Sequence, residues 1–251
     1  MNTTLMVADV GNSSIHLGEF RIDQKSNELP TPLRKIDVPG REPDFRGLEK
    51  WIGGSRSINW QIGSVNRQSL DPFVEWIQTR DEHLHVVTHR DFRIPIVCKS
   101  PERVGIDRLA AAVAANQLRQ ENHAAIVVDT GTAITIDCVT AAGQFLGGMI
   151  APGLQSGFTL LKQNTDQLPS TSIDPSPGLI ADNTKQAIQS GVYWMAVGGI
   201  ENIISKMKNE LAGPCSVFVT GGSMNDIYPN LQTKANHVPH LVLSGLALTT
   251  S

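Results

Sequence analysis

One short phrase is written twice in this chain. Residues 7–16 read VADVGNSSIH, and residues 127–136 read VVDTGTAITI. Each copy runs small apolar residues into Asp-x-Gly, then a short polar residue, then residues that favour extended backbone. β-Branched side chains suit a pleated surface and Gly-Asn or Gly-Thr interrupts it, so each copy predicts strand, tight turn, strand. A hairpin cannot bury its apolar face alone. Each copy therefore has to open a larger unit, and the chain is expected to fold as two similar halves.

The residues between the copies supply the rest of each half. INWQIGSV (58–65) predicts a buried strand, LDPFVEWIQTR a helix with Asp71 and Pro72 as its start signals, and LHVVTH another strand. Strand, helix, strand in that order is a βαβ unit. The stretch around 21–45 is rich in Pro and charge and predicts one further strand with loops. GIDRLAAAVAANQLRQ (105–120) predicts a helix, because Ala and Leu have high helix propensity. Residues 124–153 repeat the opening plan and add a third strand after an Ala-Gly turn. From Asp182 to Leu211, Ile188, Val192, Met195, Ile200, Ile203, Ile204 and Met207 recur at helical spacing; Gly191 and Gly198-Gly199 mark close packing or a break. CSVFVTGG (215–222) predicts a strand ending in a glycine turn, and LVLSGLALTT a short buried segment. The expected domains are 1–118 and 119–251. If the halves face each other, their Asp-Gly turns flank one cleft, and ligands favour such interfaces.

Composition narrows the function. A 251-residue chain with 40% hydrophobic and 18% charged residues is ordinary for a globular protein. Its formal charge of −3 argues against a general nucleic-acid binder. Cys98, Cys138 and Cys215 are far apart and lack zinc spacing. No basic leader precedes Asp9, and no run approaches the roughly 18 apolar residues of a membrane span. A cytoplasmic protein with no membrane partner is expected.

The duplicated turn suits phosphate. Glycine lets backbone approach a ligand and adopts positive φ where needed, successive amides form an anion-binding nest, and Asn12, Ser13 and Ser14 add donors. Asp9 would repel phosphate unless a cation lay between, so it suits Mg²⁺, bound directly or through water. Alternatively, Asp9 and Gly11 only shape a hairpin. The second copy repeats the pattern with Asp129, Gly131, Thr132 and Thr135, and neither a GxxxxGK[ST] nor a GxGxxG motif occurs. Gly221-Gly222 is either a further wall of that pocket or an ordinary strand-to-helix turn. In VGIDRLAAAV, Asp107 is either a helix cap or a general base for a substrate hydroxyl, with Arg108 offered to an anion. His83, His85 and His89 fit a solvated strand edge better than a zinc site. Trp51, Trp60, Trp76 and Trp194 are scattered and read as core or interface residues rather than base-stacking platforms.

DVGNSS, GIDR, DTGTAITID, GGMIAPGL and NTKQAIQSG, in this order, resemble the type III pantothenate kinase family of the acetate kinase/sugar kinase/Hsp70/actin superfamily. The resemblance runs from about residue 5 to the tail and is weakest over 21–57. It implies an α/β fold of two facing actin-like (RNase H-like) domains with an active-site cleft between them. It implies ATP-dependent phosphorylation of pantothenate to 4′-phosphopantothenate, the first step of coenzyme A biosynthesis, by a cytoplasmic homodimer needing Mg²⁺ and a monovalent cation (K⁺ or NH₄⁺). Matched motif by motif, Asp9, Val10, Gly11, Asn12, Ser13, Ser14, Ile15 and His16 resemble the ATP phosphate segment, with Asp9 reaching Mg²⁺ through ATP. Gly105, Ile106, Asp107 and Arg108 resemble the pantothenate segment, with Asp107 as catalytic base. Asp129 resembles the monovalent-cation ligand, Thr132 an ATP contact and Thr184 a substrate contact. Ser13 replaces the family's usual Thr and keeps its hydroxyl, while Cys98 stands near the place of a usual Tyr and lacks its reach. One rival is a non-catalytic regulator of transcription that binds a nucleotide or metabolite, against which Asp9, Asp107 and Asp129 together favour catalysis; the other is a related kinase for a different small alcohol, which Cys98 keeps open.

Overall fold

In a computed structural model, residues 4–21, 28–53, 58–80, 82–166 and 168–250 are described. They form two α/β units, Met1–Leu118 with His240–Ser251, and Arg119–Pro239. The expected division placed 240–251 in the second unit; the structure returns this segment to the first.

The first unit runs β1 (Thr4–Val10), β2 (Ser14–Arg21), β3 (Arg34–Pro39), α1 (Phe45–Ile52), β4 (Ile58–Ser64), α2 (Arg67–Gln78), β5 (His83–Val86) and α3 (Ile106–Leu118). The second runs β6 (Ala124–Thr130), β7 (Ala133–Val139), β8 (Phe145–Pro152), α4 (Leu154–Gln163), α5 (Thr184–Leu211), β9 (Cys215–Thr220), α6 (Met224–Ile227) and β10 (Asn236–His237), and α7 (Leu241–Ala247) follows it in the chain. The sheets have one topology. Their orders are β3-β2-β1-β4-β5 and β8-β7-β6-β9-β10. In each, the first three strands are antiparallel neighbours and the last two join in parallel.

The central strands explain the apolar runs that carry the repeated phrase. Leu5 to Ala8 and Ala124 to Val128 are buried without alternation, as expected of strands covered on both faces. In the first unit Met6, Trp60, Phe73 and Trp76 share a core, with Trp60 and Phe73 edge to face at 5.6 Å. In the second, Ile126, Val128, Tyr193, Ile200 and Val217 do the same. Trp194 packs against that core and donates its indole N–H to the Pro177 carbonyl at 3.0 Å.

Three local expectations change. Helix α2 begins at Arg67, because Asn66 caps it by accepting the Gln68 amide at 2.9 Å. Pro72 lies inside the helix, at the cost of one backbone bond. Helix α5 runs unbroken, and a Cβ at Gly191, Gly198 or Gly199 would meet nothing within 4 Å. These glycines mark neither a break nor close packing among the described residues. The tail becomes α7, with Leu241 and Leu246 fully buried against α3 and β1. A Cβ on Gly245 would lie 1.9 Å from the Ala110 carbonyl oxygen, so only glycine lets α7 meet the Ala-rich face of α3. No described helix is long and apolar enough to cross a membrane.

Candidate active site

The first hairpin turns at Gly11, Asn12 and Ser13, of which Asn12 and Ser13 are exposed. The Gly11 amide donates to the Ser14 carbonyl at 3.0 Å and so closes the turn itself. The second hairpin does the same, Gly131 donating to Ala133 at 2.9 Å. Neither glycine adopts positive φ. The amides of Gly11 and Gly131 are spent inside the turns, so neither glycine offers its own N–H to a ligand.

A strap binds each hairpin tip. The Gly40 amide, just past β3, donates to the Ser13 carbonyl at 3.0 Å. The Gly153 amide, just past β8, donates to the Thr132 carbonyl at 3.1 Å, and the Ser156 hydroxyl donates to the same oxygen at 2.6 Å. A Cβ on Gly153 would stand 2.3 Å from the Gly131 carbonyl oxygen, so glycine is obligatory there. Pro39-Gly40 and Pro152-Gly153 are thus a second duplicated phrase. The sequence carried the signal, Pro-Gly at the end of each third strand, but it means little until the hairpin it touches is known.

Asp9 lies half-buried at the end of β1, paired across the sheet with His16 on β2 and Gly63 on β4. Asp129 holds the matching place in β6, paired with Thr135 and Thr220. Gly221 follows Thr220 with φ of 100°, and a Cβ there would fall 2.4 Å from Asp129 Oδ1. The glycine turn therefore lies directly against the second Asp.

The GIDR segment packs on β4, the parallel neighbour of the first hairpin's β1. A Cβ on Gly63 would sit 3.0 Å from Ile106 Cγ2, which places the start of α3 beside the strand partner of Asp9. The Leu109 amide donates to the Gly105 carbonyl at 3.2 Å, so Gly105 stands just before the helix and Asp107 is its second residue rather than its cap. The Asp107 carboxylate folds back to accept the Arg108 amide at 2.8 Å. Gly105 makes room for it, since a Cβ would meet Asp107 Oδ1 at 2.4 Å. Burial pushes the Asp107 carboxyl up from the ordinary range, against the opposing pull of the Arg108 amide and charge. A carboxylate held partly desolvated is a better proton acceptor than an exposed one.

Thr184 is the first residue of α5 and is exposed; Asn183 caps the helix by accepting the Gln186 amide at 3.0 Å. Cys98 is half-buried in the irregular segment between β5 and α3. His83 and His85 project from β5 as exposed residues, and His85 Nε2 lies 3.3 Å from Asp91. Burial would raise the Asp91 carboxyl, but Thr88 and His85 bind it and hold it below its usual value. Among the described residues, no cluster of three or more His, Cys, Asp or Glu could hold a metal ion.

The sequence profile of the type III pantothenate kinases matches residues 5–206, a span that contains both hairpins, Gly105 to Arg108 and Thr184. The chain belongs to the type III pantothenate kinase family. The family member from Parafrankia sp. (strain EAN1pec) is 36% identical over 248 residues, covering 97% of this chain and 96% of the relative. That from Geotalea uraniireducens (strain Rf4) is 37% identical over 253 residues, covering 97% and 96%. Among solved structures, a Baf family transcriptional activator from Campylobacter jejuni superposes with a TM-score of 0.60 at 20% identity, over 97% of this chain and 96% of that one. An archaeal actin homologue gives 0.53 at 11% identity, over 99% and 100%. At such identities the likeness is one of fold, and the fold of this kinase family member is actin-like.

Proposed function

We propose that this chain transfers the γ-phosphoryl group of ATP to the terminal hydroxyl of pantothenate, giving 4′-phosphopantothenate for coenzyme A synthesis. The observation that carries the assignment beyond family membership is the placement of Asp107. Its helix starts on Gly63, beside Asp9, with the carboxyl raised by burial. A chain that only bound a nucleotide would need no such base.

Asp107 takes the proton of the substrate hydroxyl, and Arg108 offers its guanidinium to the pantothenate carboxylate. The exposed tip of the first hairpin, Asn12 and Ser13, serves the ATP phosphates, and Thr132 is a further ATP contact. The straps from Gly40 and Gly153 engage the tip carbonyls, which reduces the negative potential a phosphate would face. Thr184 contacts the substrate.

The donors present fit the expected cations. Asp9 supplies hard carboxylate oxygen at a strand end, and Mg²⁺ is typically held by one or two carboxylates plus substrate phosphates rather than by an all-protein cage. The missing multi-residue cluster among the described residues agrees with a metal that arrives with the nucleotide. Bound there, Mg²⁺ would neutralise charge on the phosphoryl oxygens. Asp129, backed by Gly221, would hold K⁺ or NH₄⁺.

Coupled measurement of ADP release tests this. Turnover is expected only with pantothenate, Mg²⁺ and K⁺ or NH₄⁺ together, and a Na⁺ buffer is expected to lower it by about tenfold or more, the scale of one lost charge contact. Absence of pantothenate-dependent turnover in K⁺ would transfer the assignment to a regulatory binding protein.

We also propose that the protein is a homodimer through α5. Ala187, Gly191, Met195 and Gly198 recur along one exposed face of that helix, Met195 being 79% exposed. Leu179 and Ile180, just before it, are 73% and 93% exposed. Apolar surface of this kind marks an interaction site, and small residues let two backbones approach. Met195→Lys is expected to shift the protein to monomer in sedimentation velocity; an unchanged dimer would place the interface elsewhere.

A further inference from the structure

Resting on the kinase reading of the first hairpin, we propose that Asp37 is a positioning residue for phosphoryl transfer, acting through His16 on the Ser14 hydroxyl. Asp37 on β3 pairs directly with His16 on β2. Its Oδ1 lies 2.8 Å from His16 Nδ1, and His16 Nε2 lies 2.9 Å from Ser14 Oγ. A carboxylate can only accept and a neutral imidazole carries one N–H, so Asp37 draws that hydrogen to Nδ1. Nε2 is then an acceptor, and the Ser14 hydroxyl donates to it. Ser14 is thereby committed. Its proton points at the ring, and its oxygen lone pairs remain for a cation or a metal-bound water beside the nucleotide. Without Asp37 the ring can carry its hydrogen on Nε2, the hydroxyl can turn round, and Ser14 becomes a donor to phosphate oxygen.

The order of groups is that of a Ser-His-Asp triad, yet the setting differs from a nucleophile's. His16 and Asp37 are 42% and 59% exposed, so no dry cavity strengthens the chain of bonds. Exposed pairs of this kind contribute little to stability. The second unit supplies an internal comparison. Its hairpin has the same pairing, but the positions matching His16 and Asp37 are Thr135 and Ile150. The hairpin folds and is strapped there without a relay, so the relay is not a requirement of the turn. Its presence in only one of two equivalent turns points to a task specific to that turn.

Two measurements on the full chain decide it. Nitrogen-15 NMR of His16 without nucleotide is expected to show the Nδ1–H tautomer, moving towards Nε2–H in Asp37→Ala. Steady-state kinetics are expected to show kcat lowered about three- to tenfold in Asp37→Ala, the scale of one hydrogen bond, with the pantothenate KM unchanged. Asp37→Asn, whose carbonyl still accepts from Nδ1, should retain kcat to within about twofold. On a Ser14→Ala background Asp37→Ala should have no further effect, as for residues acting in series. An Nε2–H tautomer in the unaltered chain, full kcat in Asp37→Ala, or an equal loss on the Ser14→Ala background overturns the proposal. Lack of turnover in the unaltered chain would sink the kinase reading instead, while the tautomer, read without substrate, still decides the relay.

Discussion

Asp107→Asn is expected to lower kcat by about 10²- to 10⁴-fold, the usual worth of a positioned general base, without destabilising the protein. The two halves of that result have one cause. Burial raises the Asp107 carboxyl above its unfolded value. For such a group the folded state binds the proton more tightly than the unfolded chain does. Its contribution to stability is therefore fully present below the unfolded pKa and is lost as pH rises through the folded one. At neutral pH the charged carboxylate is a burden on the fold, and Asn removes the charge while its side-chain oxygen can still accept the Arg108 amide. The melting temperature should hold or rise as turnover collapses, the trade between stability and activity seen where function needs an unfavourably placed group. In the unaltered enzyme kcat/KM should fall on the acid side, with a limb above the ordinary Asp value of about 3.9. That limb should vanish from the residual activity of Asp107→Asn. A variant that keeps full turnover, or one that melts markedly lower, would remove Asp107 from the base's role.

Gly221→Ala is expected to destabilise the second unit by roughly 2–5 kcal/mol, adding about 1–2 for left-handed backbone to about 1–3 for overpacking. At φ of 100° a side chain is disfavoured before any contact is considered. Its Cβ would also stand 2.4 Å from Asp129 Oδ1 and 2.4 Å from the Thr130 amide nitrogen. Neither can yield cheaply. Thr130 is held by its hydroxyl donating to the Thr220 carbonyl at 3.2 Å and by its own carbonyl accepting from Ser223 at 3.0 Å. Relief would have to part the ends of β6 and β9 and turn the Asp129 carboxylate away, so the monovalent-cation response of turnover should weaken with stability. Gly222→Ala is the control, because its Cβ would meet nothing within 4 Å and its φ is not left-handed. Urea midpoints should separate the two variants clearly. Equal midpoints would mean that the packing of Gly221 on Asp129 is not what holds this corner.

Much of the fold was legible before any coordinates. Continuous apolar runs such as Leu5 to Ala8 report strands covered on both faces, and Asp-x-Gly after each run reports the turn. The glycines misled at two places: Gly11 and Gly131 use neither positive φ nor a free amide, and Gly191, Gly198 and Gly199 lie in an unbroken helix. The start of α2 was misjudged because Asp71-Pro72 carries the stronger helix-start signal, whereas Asn66 acts through one hydrogen bond that only the folded turn reveals. The candidate site, as proposed, rests on residues that are contiguous in the chain. Asp9 to His16 and Gly105 to Arg108 each read as one local motif.

The sequence by itself determined the duplicated secondary structure, because strand, turn and helix preferences act over a few neighbouring residues. Tertiary structure decided what lies against what: Gly40 and Gly153 on the hairpin tips, Ile106 on Gly63, Asp37 opposite His16, and the return of 240–251 to the first unit. Those contacts depend on sheet register and on where a missing Cβ leaves room. Both arise only when distant segments pack together, so no local pattern can announce them.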